Sequence, residues 1–238
     1  MRQVSFLPVK LVHEEATGGT RDLRLVGYGA DKTKYAVKRE SDGPLLPLAE
    51  WIGHRISALC EIPTPPFDIV ECMDGEIAFG SRWVDGSTQI KALNSAALDL
   101  LSSHAAAVSK IIGLDFFLPN PDRHLGNFLF VPGTDPPSCL SFDFSLSNVR
   151  DGLPFGSHPM ALSVKTNMIL RNVLIKQLNK FDKHRYNDAL SAVKKVTTEQ
   201  IACVLDEAPV QWFTTVGKDE ILRWWDSSKG TRIVQVFK

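Results

Sequence analysis

Several things are scarce in this chain of 238 residues, and each scarcity narrows its chemistry. It has no net charge, because 27 lysines and arginines balance 27 aspartates and glutamates. A protein that grips nucleic acid by its phosphates generally carries a basic excess, so no direct nucleic-acid partner is expected. No run of about 18 apolar residues occurs, so no membrane-spanning helix and no membrane partner is expected. The opening stretch, Met1 to Pro8, lacks the apolar core of a secretion signal. Cysteine is limited to Cys60, Cys72, Cys139 and Cys203, none of them in a C-x-x-C pair. That pattern argues against a structural zinc site or a thioredoxin-type centre, and scattered single thiols suit a reducing, cytoplasmic location. They read as small buried hydrophobes. No internal repeat and no low-complexity segment is found.

What remains is ordinary globular composition, 44% hydrophobic and 23% charged, enough for one large domain or two small lobes. The first third reads as strands with one helix. Residues 21–26 alternate polar and apolar, and Tyr35 to Lys38 is a second strand candidate. Leu48, Ile52, Ile56 and Leu59 recur at helical spacing from Pro47 onward, and Pro63, Pro65 and Pro66 end that helix. Phe67 to Val70 and Glu76 to Phe79 read as strands joined at Asp74-Gly75. Residues 92–118 are helical in character. A loop with Pro119 and Pro121 follows, then a hairpin of Phe128 to Val131 and Cys139 to Phe142. Residues 162–226 read as helical with a break near Pro209, and Trp212, Trp224 and Trp225 there are expected to be core. The expectation is an α+β fold of two lobes, a sheet-rich N-lobe over residues 1–85 and a helical C-lobe over 86–238, with the cleft near 79–86.

The chemistry concentrates in Asn120-Pro121-Asp122-Arg123-His124-Leu125-Gly126-Asn127, followed 16 residues after Asn127 by Asp143 in Ser141-Phe142-Asp143-Phe144-Ser145. Alone, each of these is a turn former. Together they have the parts of a phosphoryl-transfer site. Asp122 can orient a hydroxyl and accept its proton. Asn127 and Asp143 supply the hard oxygen ligands that Mg²⁺ prefers. Lys38, on a strand, can reach ATP phosphates, and Glu50 on the next helix can pair with it. Gly18 and Gly19 form the one candidate for a phosphate-covering loop, although they match neither common glycine motif. Arg123 can hold the loop through a carboxylate or bind phosphate. His124 can support the catalytic loop or the phosphate. Phe79 and Trp83 are placed at the lobe junction, near adenine.

These residues resemble the HipA-like kinases, bacterial serine/threonine kinases with an atypical protein-kinase fold. The resemblance rests on Lys38, Glu50, the Asn120 to Asn127 loop and Asp143, and covers about residues 18–150. The Asp-Arg-His…Asn order is also similar to that of the phosphatidylinositol 3- and 4-kinases. The resemblance implies that Lys38 binds the α- and β-phosphates of ATP, that Glu50 anchors it, that Asp122 is the base, and that Asn127 and Asp143 hold Mg²⁺. It implies a protein substrate with a serine or threonine acceptor, and a cognate antitoxin or regulator as a further partner. Two departures stand out. Ser145 occupies the place of a common glycine, which is expected to reduce the freedom of that loop, and the extra N-terminal subdomain of the full-length toxins is not identifiable. The competing readings are a small-molecule or lipid kinase, a nucleotide-binding pseudokinase regulator, a plain interaction domain, and adenylyl transfer.

Overall fold

A computed structural model of the protein describes residues 7–17, 23–133, 138–147 and 165–237. Strands β1 (Val9–Ala16), β2 (Leu25–Gly29), β3 (Lys34–Lys38), β4 (Phe67–Glu71) and β5 (Ile77–Arg82) close into a small barrel in the order β1-β2-β3-β5-β4. Four of the pairings are antiparallel. The seam is a short parallel pairing of Val9 with Val70 and Lys10 with Glu71. Closure leaves none of these strands as a free edge, which an open sheet would have to protect by other means. The strands expected from the sequence did not include β1, and this strand is the one that closes the barrel. Leu11, Leu25, Tyr35, Val37, Val70, Cys72 and Ala78 fill the barrel interior.

Helix α1 (Leu46–Leu59) follows β3 and starts with Pro47, whose missing N–H is an orphan at a helix start anyway. It is buried almost all round and packs away from the barrel interior. Its Trp51, Ile52 and Ile56 share one continuous core with apolar residues of α3 (Ala105–Phe117), α5 (Lys183–Lys195), α6 (Thr198–Asp206) and α7 (Lys218–Phe237). The Trp51 indole N–H donates to the Val204 carbonyl at 2.8 Å, and Arg55 pairs with Glu207 at 2.6 Å. Trp212 and Trp225 are fully buried in that core. The helical stretch expected over 92–118 is two helices, α2 (Ser95–Ser103) and α3, meeting at His104 with an 81° bend. Asn94 caps α2, and a Thr197/Gln200 capping box starts α6.

Strands β6 (Phe128–Val131) and β7 (Ser138–Ser141) form the expected hairpin, in the register Phe128 with Ser141. The short α4 (Lys165–Met168) runs into a π-helical stretch, Ile169–Gln177. Among the described residues no single helix is long and apolar enough to cross a membrane.

Candidate active site

A cavity of about 660 Å³ lies where the barrel wall, α1, the loop after α3 and the end of β7 converge. The period-2 alternation of strands decides what the wall presents. On β3, Tyr35 and Val37 point into the barrel core, so Ala36 and Lys38 face the cavity. Cross-strand pairing sets Phe79 beside Lys38 and Ser81 beside Ala36, and both line the cavity too. Trp83 lies one residue past the end of β5 and does not line the cavity. It is half exposed, with the Lys34 ammonium 4.0 Å from its ring centre. Trp83, expected near adenine, thus stands outside the cavity lining, and the wall's cavity face ends at Ser81.

Lys38, Glu50 and Asp143 form a buried charged cluster. Lys38 Nζ lies 3.3 Å from Asp143 Oδ1 and 3.8 Å from Glu50 Oε1. Glu50 is almost wholly buried; its Oε2 accepts from Phe144 N–H at 3.0 Å, and its Oε1 lies 2.7 Å from the Ser145 oxygen, whose single proton it shares with Asp143 Oδ1 at 2.6 Å. Burial raises the Glu50 carboxyl to about 7, with Lys38 opposing. Burial pushes Asp143 upward as well, but Lys38, the Ser145 hydroxyl and Arg123 outweigh it and hold this carboxyl below the usual carboxylate range. Asp143 adopts φ +64°, a left-handed backbone rare for a non-glycine residue. Such outliers persist where surrounding contacts over-determine them. Ser145 has no positive φ, so its backbone conformation does not require glycine.

Phe144 locks this loop onto α1. A side-chain carbon at Gly53 would fall 2.2 Å from the Phe144 ring, so only glycine lets the ring seat there. Phe144 also meets His54 edge-on, ring centres 5.3 Å apart. His54 is fully buried beside the cavity. Its Nδ1 lies 2.9 Å from the Glu50 carbonyl, an acceptor, so Nδ1 carries the proton. Nε2 has no hydrogen-bond partner among the described residues. Burial holds the imidazole down to about 3, which leaves it neutral.

The loop after α3 is held by Arg123, also fully buried. Its Nε donates to Asp115 Oδ2 at 2.7 Å and its Nη2 to Asp115 Oδ1 at 2.9 Å, a two-pronged pair. The remaining guanidinium donors reach the carbonyls of Asn127 and Phe142 and the Ser141 hydroxyl. One side chain thus ties the end of α3 to both the Asn127 turn and the approach to Asp143. Of the two roles open to Arg123, holding the loop is the one its contacts occupy. Asn127 donates through Nδ2 to the Asp122 carbonyl at 3.3 Å, which leaves its amide oxygen as the acceptor that a cation would use. His124 caps the short turn Leu125–Asn127 by accepting from Gly126 N–H at 3.1 Å, and it lines the cavity.

The structure brings Lys38, Glu50, Phe79, His124, Asn127 and Asp143 to one cavity. Asp122 is adjacent through its backbone but absent from the lining, and its carboxylate is paired with Lys165 at the start of α4. Gly18 and Gly19 lie outside the described residues. The ends of their loop are joined by Thr17 N–H donating to the Arg24 carbonyl at 2.8 Å, and Leu23 lines the cavity. Asp115, Gly53, His54 and Lys165 went unread in the sequence as parts of this site. Asp115 carried a signal, as the one charged residue in the apolar run Ile111 to Leu118.

No family model matches the chain, and no curated protein matches it in sequence. Among solved structures, the proinflammatory kinase CtkA of Helicobacter pylori is similar over 97% of this chain and 97% of its own, with a TM-score of 0.57 at 14% identity. The chain has a kinase-like fold. In this kinase-like fold the sheet is the closed barrel described above. HipA of Shewanella oneidensis MR-1, from a complex with HipB and operator DNA, gives a TM-score of 0.48 at 13% identity over 89% of this chain and 57% of its own. At that score the likeness carries no argument.

Proposed function

We propose that this chain is an ATP- and Mg²⁺-dependent phosphotransferase acting on a hydroxyl, in the manner of a serine/threonine protein kinase. The observation that carries the reading is the convergence of Lys38, Glu50, Asn127 and Asp143 on one cavity, from four separate segments. The residues suit the groups. Mg²⁺ is commonly held by one or two protein oxygens together with substrate phosphates, and the Asn127 amide oxygen and Asp143 carboxylate are such donors. Bound there, the ion would neutralise charge on the phosphates. Lys38 would bind α- and β-phosphate oxygens while Glu50 restrains its approach. The apolar part of the lining, Ala36, Phe79, Ile90 and Leu125, would enclose the base. Asp122 would orient the acceptor hydroxyl and take its proton. The division into lobes at about residue 85, the protein nature of the acceptor and a restraining regulator belong to this reading through the resemblance of the Asn120 to Asn127 loop and Lys38.

Incubation with γ-labelled ATP and Mg²⁺ tests it. Wild type is expected to transfer label, and Asp122→Ala and Asp143→Ala each to lose roughly 100-fold or more. Equal transfer by wild type and Asp122→Ala defeats the assignment.

A second reading has one observation in its favour. Asp122 is engaged by Lys165 and stands outside the cavity lining, as in a protein that binds nucleotide without turning it over. That reading expects Mg·ATP to raise the melting temperature with no label transferred.

A further inference from the structure

Ser145 is almost fully buried, and its hydroxyl touches three charged groups from three elements. It accepts from Lys38 Nζ of β3 at 3.1 Å. It lies 2.7 Å from Glu50 Oε1 of α1 and 2.6 Å from Asp143 Oδ1 of its own loop. The direct approach of Lys38 Nζ to Glu50 is 3.8 Å, too long for a hydrogen bond. The link between the lysine and the helix carboxylate therefore runs through the serine oxygen. Glu50 is fixed to the same loop a second time by Phe144 N–H at 3.0 Å.

We infer that Ser145 is a positioning residue, whose hydroxyl joins Lys38 to Glu50 and so limits how fully the lysine commits to the Asp143 carboxylate, to which it donates at 3.3 Å. The inference rests on the reading of the cavity as a nucleotide site, and it gives the serine in the place of a glycine a task. Lys38 and Asp143 attract each other across 3.3 Å, yet one must face phosphate and the other a cation. A hydroxyl that contacts both, and ties the lysine to α1, limits their neutralising one another. Without it the ammonium is free to close further on Asp143, and a cation competes with it less well for that carboxylate.

Ser145→Ala should then raise the Mg²⁺ concentration for half-maximal label transfer roughly tenfold, more than it lowers kcat, the size expected for one charge-assisted hydrogen bond. Ser145→Thr keeps the hydroxyl and should restore metal dependence to within about threefold. A merely structural role predicts loss of folded protein without a change in metal dependence. A double-mutant cycle in urea unfolding, with Ser145→Ala and Lys38→Met, measures the link without any nucleotide. Non-additive effects support the bridge, and additive ones overturn it even if the chain transfers phosphate. Unchanged metal dependence in Ser145→Ala overturns the positioning role. Non-additivity in a wild type that neither transfers label nor shifts with Mg·ATP overturns the nucleotide reading, and the positioning role with it, while the bridge itself stands.

Discussion

Two buried charge clusters lie on either side of Asn127, and they are built to opposite ends. Around Arg123 every guanidinium contact is 3.0 Å or shorter, with both Asp115 oxygens, two carbonyls and the Ser141 hydroxyl engaged, and the guanidinium is fully buried. Around Lys38 the separations run from 3.1 to 3.8 Å, and the lysine, Glu50 and Asp143 border a cavity. A buried ion pair repays its desolvation only when its geometry is near ideal and its remaining hydrogen-bonding groups are satisfied. The Arg123 cluster meets that condition and is committed to structure. The Lys38 cluster falls short of it, which suits the proposed role at a site for phosphates and a cation.

The largest break in this contrast is expected at Arg123. Arg123→Met leaves Asp115 buried without its cation, and should cost about 3–5 kcal/mol in urea unfolding. Arg123→Lys should recover little, because an ammonium cannot reproduce the fork that meets Asp115 and the carbonyls together. By contrast Lys38→Met is expected to cost well under half of that while abolishing label transfer. Equal destabilisation by the two would erase the distinction between the clusters.

Gly53→Ala comes next. The new methyl meets the Phe144 ring, so the expected cost is about 1–3 kcal/mol from overpacking. Because Phe144 is flanked by Asp143 and Ser145, the same change should weaken the Mg·ATP-induced rise in melting temperature. A variant with normal stability and a normal nucleotide shift would show that Phe144 does not hold the loop.

His54 sharpens the comparison through pH. Its folded pKa is depressed to about 3 from an ordinary value near 6.5. The stability from keeping it neutral is therefore fully present above pH 6.5. It declines as pH falls, since the unfolded chain takes up a proton that the folded one refuses. Between pH 7.5 and 5.5 wild type should lose about 1 kcal/mol more than His54→Leu, read from urea midpoints. Identical pH dependence in the two proteins would mean that His54 accepts a proton while folded.

The smallest effect is expected at Lys165. Its side chain is 56% exposed, and exposed ion pairs contribute little, so Lys165→Ala should change stability by under about 1 kcal/mol despite the pairing with Asp122. A larger loss would place Lys165 with the structural cluster.

Local pattern made much of the fold legible. Tyr35 to Lys38, Phe67 to Val70 and the Phe128 to Val131 hairpin show strand alternation or apolar runs, and the Pro47 to Leu59 helix shows its spacing with prolines beyond its end. β1 was missed because its Val-Lys-Leu-Val-His-Glu-Glu order is mostly exposed and alternates poorly, and its place depends on partners far along the chain. The bend at His104 was missed because both flanking helices are apolar and no proline or glycine marks the joint. In the site, the functional-looking spacing pointed to Asp122, Asn127 and Asp143. Two of the residues that hold them, Asp115 and Gly53, look unremarkable because their roles exist only through contacts with distant segments, and Ser145 drew notice only as a serine in a glycine's place.

By itself the sequence determined the type of most elements, the chemical kinds of side chain near Asp122 and Asp143, and the order in which Lys38 and Glu50 precede them. These follow from local periodicity, backbone preference and the intrinsic chemistry of each side chain, which a short window of the chain carries. Only the tertiary structure decided that the strands close into a barrel, that Trp83 falls beyond the cavity, that Asp122 faces Lys165, and that a serine hydroxyl lies between Lys38 and Glu50. Each of those depends on distances of a few ångströms between residues up to about 100 positions apart, and such distances are set by packing of the whole chain rather than by any window of it.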